Sequence, residues 1–285
     1  MMRKVVKIGN LDIGDNAPVR LIAELGVNHL GDYSRMIEMI DAAIESGADL
    51  LKFQTYKADL RYDSIKNPKG KEFINLLSKW QFDEKTEEKI WDYAISKGGK
   101  IFTSPFDPGS VNLGEKFGSL AYKVAAFEIV NKELLSAISN TGKPVIISRG
   151  MATMEETTAA VNLFQKKNVD VILLHCISSY PTMHEDSNLW MIHTLRNKFD
   201  IPIGHSDHTR GVDIPMLAVA AGARIIEKHF TINPKLRESD NPFSITPDEL
   251  RKMRFNVDNV DSYMGNKEIS YIEAEKFMSD FRRYS

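Results

Sequence analysis

The sequence predicts an α/β fold, a TIM (β/α)8 barrel preceded by a short N-terminal β-hairpin, and three observations carry that prediction. Short apolar runs recur eight times, at residues 21–25, 50–54, 101–104, 121–124, 145–148, 171–176, 203–206 and 225–228. Each is followed by a stretch of helical period. No linker rich in Pro, Ser or Gly splits the 285 residues into halves, so the units belong to one closed sheet. A doubly wound sheet is the runner-up, but it wants a Gly-rich first turn. The candidate, Gly26 to Gly31, lacks the G-x-G-x-x-G spacing.

Taken in order, residues 1–18 read as the hairpin. Val5 to Ile8 and Leu11 to Ile13 flank the turn signal Gly9-Asn10, and the hairpin is expected before the main fold rather than inside it. Residues 19–285 form the barrel domain. Met36, Ile37, Met39, Ile40, Ala43 and Ile44 give the first crossover helix an apolar face. Gly47-Ala48, Gly98-Gly99, Gly142-Lys143-Pro144 and Gly222-Ala223 stop helices just before strands. Residues 212–223 form the crossover between the last two strands. Pro247, with Asp248 and Glu249 behind it, opens the helix after the eighth.

Composition sets bounds on function. A hydrophobic share of 42% is enough for a large core, and a net charge of −2 argues against a nucleic-acid binder. Cys176 is the single cysteine, which excludes an intramolecular disulfide; inside Ile172-Leu173-Leu174-His175-Cys176-Ile177 it reads as a core thiol. The apolar run after Met1-Met2-Arg3-Lys4 is too short for a signal peptide or a membrane span. A soluble, cytoplasmic protein with no membrane partner is the expectation.

In a barrel of this kind, chemistry sits at the C-terminal strand ends and the following loops. Those positions hold Glu24, Asn28 and His29; Lys52 and Gln54; Thr103, Ser104 and Phe106; Lys123 and Glu128; Ser148 and Arg149; and His175, Ser178 and Tyr180. The last two strands add Gly204-His205-Ser206-Asp207-His208-Thr209 and Glu227-Lys228-His229-Phe230-Thr231. Lys52 and Lys123, with the hydroxyls of Ser104 and Ser148, make a reasonable cradle for a phosphate. Glu24, Glu128 and Asp240 supply carboxylates for polar groups or proton transfer. His208 and His229 fall at neighbouring strand ends, where two imidazoles hold a divalent metal or simply bond to backbone; from the pair alone both readings stand. His205, close before His208, is expected to pack inside.

With these motifs in order, the sequence resembles the sialic acid synthase family. The resemblance rests on Ala23-Glu24-Leu25-Gly26-Val27-Asn28-His29, Lys52-Phe53-Gln54-Thr55, Ser104-Pro105-Phe106 and Tyr122-Lys123-Val124-Ala125-Ala126-Phe127-Glu128. It continues through Ser148-Arg149-Gly150-Met151, Leu174-His175-Cys176, Tyr180-Pro181 and the two histidine segments. The resemblance implies condensation of phosphoenolpyruvate with an open-chain amino-sugar aldehyde, giving a nonulosonic-type acid and phosphate. It implies that His208 and His229 bind Mn2+ or Mg2+. Lys52, Lys123, Ser104 and Ser148 would contact phosphoenolpyruvate, and Ser206 would add a hydroxyl. Glu24, Gln54, Glu128, Tyr180 and Asp240 match positions near the acceptor and the reacting carbons. A homodimer is also implied.

Four departures leave the acceptor open. The stretch 275–285 leads, in longer members, into an antifreeze-like domain that lends an arginine to the partner's sugar site; no such domain is expected here. Arg149-Gly150-Met151 stands where the family has Thr-Gly-Met, and Arg149 either restores positive charge at the mouth or faces solvent. Arg210 and Arg237 are further candidates for that charge. Arg237-Glu238-Ser239-Asp240 replaces a Pro-Gly-Pro-Asp motif, while Ala126-Phe127 and Ser178-Ser179 replace Ser-Gly and Asn-Ile, nearer the pseudaminic, legionaminic and spore-coat branches. Two other functions compete: an aldolase or related synthase using Lys123 as a Schiff base, and a non-catalytic ligand-binding barrel.

Overall fold

The computed structural model describes residues 4–61, 68–265, 269 and 271–283. Strands β1 (Val6–Ile8) and β2 (Leu11–Ile13) pair antiparallel, Val6 opposite Ile13, as the expected hairpin. Eight parallel strands follow: β3 (Arg20–Glu24), β4 (Leu50–Thr55), β5 (Ile101–Pro105), β6 (Tyr122–Val124), β7 (Val145–Ser148), β8 (Val171–Cys176), β9 (Ile203–Asp207) and β10 (Ile225–His229). They close in sequence order, with β10 pairing back onto β3 through Ile225–Arg20 to His229–Glu24. The predicted barrel is therefore the observed one, and the strands fall within about two residues of the sequence reading.

Helices cross between consecutive strands, and the second crossover carries two of them, Pro68–Trp80 and Glu84–Ser96. Helix starts lie on the mouth side, where side-chain caps fix the loops. Asp107 accepts from Ser110 N–H at 2.9 Å, and Thr246 forms a capping box with Glu249, as Pro247 with its two acids suggested. Each such cap is worth about 1 kcal/mol.

Period-2 alternation divides every strand between two cores. Outward residues such as Leu21, Leu51, Ile147, Leu173 and Ile226 pack under the helices. Inward residues Ile22, Leu50, Phe102, Ile146, Ile172, Leu174 and Ile225 fill the lower barrel. Val6, Ile8, Leu11 and Ile13 belong to this inner cluster. Here the sequence expectation needs correcting: the hairpin does not merely precede the barrel, it stoppers its floor. Four apolar side chains with no sheet face of their own to pack on gain burial by entering the barrel end.

Among the described residues no helix is long and apolar enough to cross a membrane.

Candidate active site

The same alternation that fills the floor builds the site one layer higher. Counting by twos from the inner core places Glu24 above Ile22, Lys52 above Leu50, Ser104 above Phe102, Ser148 above Ile146, Cys176 above Leu174 and Glu227 above Ile225. These residues line a cavity of about 390 Å3 at the C-terminal mouth, together with Gln54, Lys123, Tyr180, Ser206, His208, His229 and Asp240.

Its deepest part is a charge cluster. Lys52 Nζ lies 3.1 Å from Glu227 Oε1 and 3.3 Å from Glu24 Oε2, while Lys123 Nζ lies 4.0 Å from the same Glu227 oxygen. Lys123 donates to Ser148 Oγ at 2.7 Å and to the Val124 carbonyl at 3.1 Å. Ser206 Oγ donates to Glu227 at 2.9 Å, and Ser104 Oγ to the Lys123 carbonyl at 3.2 Å. Burial pulls Lys123 down to about 8, despite the raising effect of Glu227. Burial likewise lifts Glu24 to about 7 against the pull of Lys52. Burial opposes ionisation of Glu227 too, but Lys123 and Lys52 overcome it and hold the carboxyl below its ordinary value. The cluster thus keeps two cationic centres and one firm anion, with Glu24 poised to hold or release a proton near neutrality.

Above the floor, Gln54 Nε2 donates to Glu24 Oε1 at 2.5 Å. Gly26 makes room for that pair. It sits at φ +52°, and a Cβ there would lie 3.2 Å from Glu24 Oε1 and 3.3 Å from Gln54 Nε2. Tyr180, which precedes a cis proline, lays its ring 4.2 Å from that of His208.

The two histidine rings are 5.5 Å apart and tilted by 50°. His208 Nδ1 meets the Ile177 carbonyl at 2.8 Å, so its N–H is spent there and the Nε2 lone pair is left for another partner. His229 Nδ1 is buried without a hydrogen bond, 3.3 Å from Asp240 Oδ2. Burial holds both imidazoles down at about 3, and therefore neutral, with His229 adding to the effect at His208 and Lys52 adding to it at His229. Burial raises Asp240. Two neutral rings, an orphaned ring nitrogen and a carboxyl short of positive charge are what a divalent cation would satisfy. Among the described residues no three His, Cys, Asp or Glu side chains form a ready-made metal cage, so water or substrate oxygens would complete the shell. The loop carrying His208 is pinned from outside: Lys228 pairs with Asp207 and donates to the Thr209 carbonyl at 2.7 Å.

Four residues expected at the site lie elsewhere. Asn28 is fully buried beside the mouth, donating to the Phe230 carbonyl at 2.9 Å and to Ser244 Oγ at 2.8 Å; it braces loops. Glu128 turns back to accept from Asn131 Nδ2 at 2.6 Å. Arg149 donates to the Ala152 carbonyl at 2.8 Å, closing its own turn, and does not line the cavity. Ser178 packs against Gly150, where a Cβ would come within 2.5 Å of its Oγ. Of the other arginines, Arg210 donates to the Pro242 carbonyl at 2.6 Å. His205 is buried, but on the outer side of β9 rather than inside the barrel, bonded to the His175 carbonyl at 3.1 Å and stacked on the His175 ring. Cys176 is free and buried, and it also lines the cavity, which the core-thiol reading did not anticipate.

Two residues escaped the sequence reading. Glu227 shares strand parity with His229, a signal that was there to find. Arg61 lies beyond β4 in the turn Ala58–Leu60 and its exit, where no periodicity points to it. Its guanidinium lies 3.7 Å over the Phe106 ring and donates to Gln54 Oε1 at 2.9 Å.

The NeuB family model matches residues 39–269. The chain belongs to the NeuB family. Within that family it is 35% identical over 278 residues to the pseudaminic acid synthase of Campylobacter jejuni, covering 94% of this chain and 80% of that one. It is 33% identical to the N,N'-diacetyllegionaminic acid synthase of Legionella pneumophila, covering 90% of this chain and 76% of the relative. Among solved structures, the sialic acid synthetase of Leptospira borgpetersenii in complex with citrate superposes with a TM-score of 0.90 at 37% identity, covering 99% and 97% of the two chains. The chain is an enzyme of this sialic acid synthase family.

Proposed function

We propose that this NeuB-family enzyme condenses phosphoenolpyruvate with the aldehyde of an open-chain amino sugar, releasing phosphate and a 2-keto-3-deoxy sugar acid. The observation that carries the reading is the gathering of Lys52, Lys123 and the hydroxyls of Ser104, Ser148 and Ser206 in the same cavity as the histidine pair. The named relatives, synthases of pseudaminic, legionaminic and sialic acids, support it.

In this reading Lys52 and Lys123 hold the phosphate and carboxylate of phosphoenolpyruvate, and the serines orient its oxygens. A divalent cation, Mn2+ or Mg2+, held by His208 and His229 with water or substrate oxygens would supply Lewis-acid chemistry at the aldehyde oxygen. Tyr180 and Gln54 line the acceptor side and keep its carbonyl carbon above C3 of phosphoenolpyruvate. C3 attacks that carbon, forming the C–C bond, and the aldehyde oxygen gains a proton to become a hydroxyl. Water adds at C2, and the C2–O bond to phosphate breaks. Glu24, raised to about 7, is suited to hold or release the proton that moves in these steps. A homodimer and a cytoplasmic location belong to the same reading; light scattering tests the first.

Incubation with phosphoenolpyruvate, Mn2+ or Mg2+ and a panel of hexosamines should release phosphate. Folded protein that releases none with any aldose would overturn the proposal. One observation favours a second reading: Lys123, drawn down to about 8, is nucleophilic enough for a Schiff base. Borohydride with pyruvate traps Lys123 only if an aldolase mechanism operates.

A further inference from the structure

Arg61 leaves β4 by a short anchored turn. The Ala58 N–H donates to Gln81 Oε1 at 2.8 Å, and the Tyr56 hydroxyl donates to the Leu77 carbonyl at 3.2 Å. The turn therefore holds the guanidinium at a set height on the mouth, stacked on Phe106. A primary amide reads its neighbours by donor and acceptor. A guanidinium has only donors, so it selects the oxygen of Gln54, and the nitrogen is left to face Glu24. Hydrogen bonds run from Arg61 to Gln54 at 2.9 Å and from Gln54 to Glu24 at 2.5 Å, and the ion pairs of Lys52 with Glu24 at 3.3 Å and Glu227 at 3.1 Å carry the connection to the floor.

We infer that Arg61 is a positioning residue that sets the orientation of the Gln54 amide, and through it the placement of the Glu24 carboxylate against the acceptor. Arg61 acts through Gln54, so its loss and the loss of Gln54 are one event counted once. Methionine at this position keeps the contact with Phe106 but offers no donor, leaving the amide free to turn. Lysine keeps a cationic donor without the planar fork, so it retains part of the effect.

The test has two arms, and only the kinetic arm rests on the proposed condensation. In the first, 15N spectra follow the Gln54 side-chain amide, assigned by its disappearance in Gln54→Leu. Its protons should exchange at least about tenfold faster in Arg61→Met than in the wild type, with Arg61→Lys between them. Equal exchange in wild type and Arg61→Met, at unchanged thermal midpoint, overturns the inference. In the second arm, phosphoenolpyruvate consumption is measured with the aldose that turns over fastest. Arg61→Met should lower kcat with the acceptor by about ten- to a hundredfold while the KM for phosphoenolpyruvate moves less than about threefold, and Arg61→Met/Gln54→Leu should be no worse than Gln54→Leu alone. Losses that multiply instead would make Arg61 an independent contact and overturn the relay. No turnover by the wild type with any aldose refutes the condensation and leaves the amide exchange to decide on Arg61.

Discussion

Lys52 Nζ and Glu227 Oε1 meet at 3.1 Å across the barrel interior, on strands separated by β3. The same carboxylate oxygen receives Ser206 at 2.9 Å and faces Lys123 at 4.0 Å. One buried anion thus serves two buried cations. Removing it by Glu227→Ala leaves Lys123 without a carboxylate partner and Lys52 with Glu24 alone, and should cost about 3–5 kcal/mol. Urea unfolding with an unchanged m-value checks this; a loss below about 1 kcal/mol would mean that water or another group replaces the carboxylate.

Lys123 is charged below about 8 and neutral above it. Its protonated form is the one that binds an anion, so affinity is present at lower pH and lost as pH rises through that value. The dissociation constant for phosphoenolpyruvate, by calorimetry, should weaken by up to about tenfold per pH unit above it. A flat profile between about pH 7 and 9.5 would remove Lys123 from the cradle.

The histidine pair predicts a metal dependence that can be read without turnover. Protein stripped with EDTA should take up Mn2+, seen as loss of the free-ion EPR signal, whereas His208→Ala and His229→Ala should not at the same concentrations. Restored uptake in both variants would place the cation elsewhere.

Asn28 and Ile13 test the structural corrections. Asn28→Ala removes two buried donations and should cost about 1–3 kcal/mol with little change in the KM for phosphoenolpyruvate. Ile13→Ala, although outside the barrel strands, should cost about 2–5 kcal/mol because it empties part of the floor. Chemical denaturation separates the two effects from activity. A loss under about 0.5 kcal/mol for Ile13→Ala would make the hairpin an appendage after all.

Much of this was legible in the sequence because barrel chemistry obeys a short-range rule. Lys52, Lys123, Ser148 and His229 each close an apolar run, and an inward parity set by Leu50, Ala121, Ile146 and Ile225 carries them to the mouth. Applied strictly, that rule also separates inward Ser206 and His208 from outward His205 and Asp207, and it admits Glu227. It fails where the chain leaves the strand. Asn28, Glu128, Arg149 and Ser178 stand in loops, where direction is decided by local hydrogen bonds such as Asn131 to Glu128 and Arg149 to Ala152. Arg61 fails in the opposite sense: its contacts with Gln54 and Phe106 join separate strands and no local pattern encodes them.

The stoppered floor has a kinetic meaning. Among the described residues Ile8 and Ile13 close the lower end of the barrel, and Tyr180 and Phe127 line the cavity on its mouth side. A ligand that enters from this mouth to settle against Lys123 passes Tyr180 on the way, and in the proposed reaction a sugar standing under Tyr180 would lock it in. If the proposed condensation holds, entry from the mouth alone makes traffic a queue: the small anion would go in first, and the bulky product would leave before the phosphate behind it.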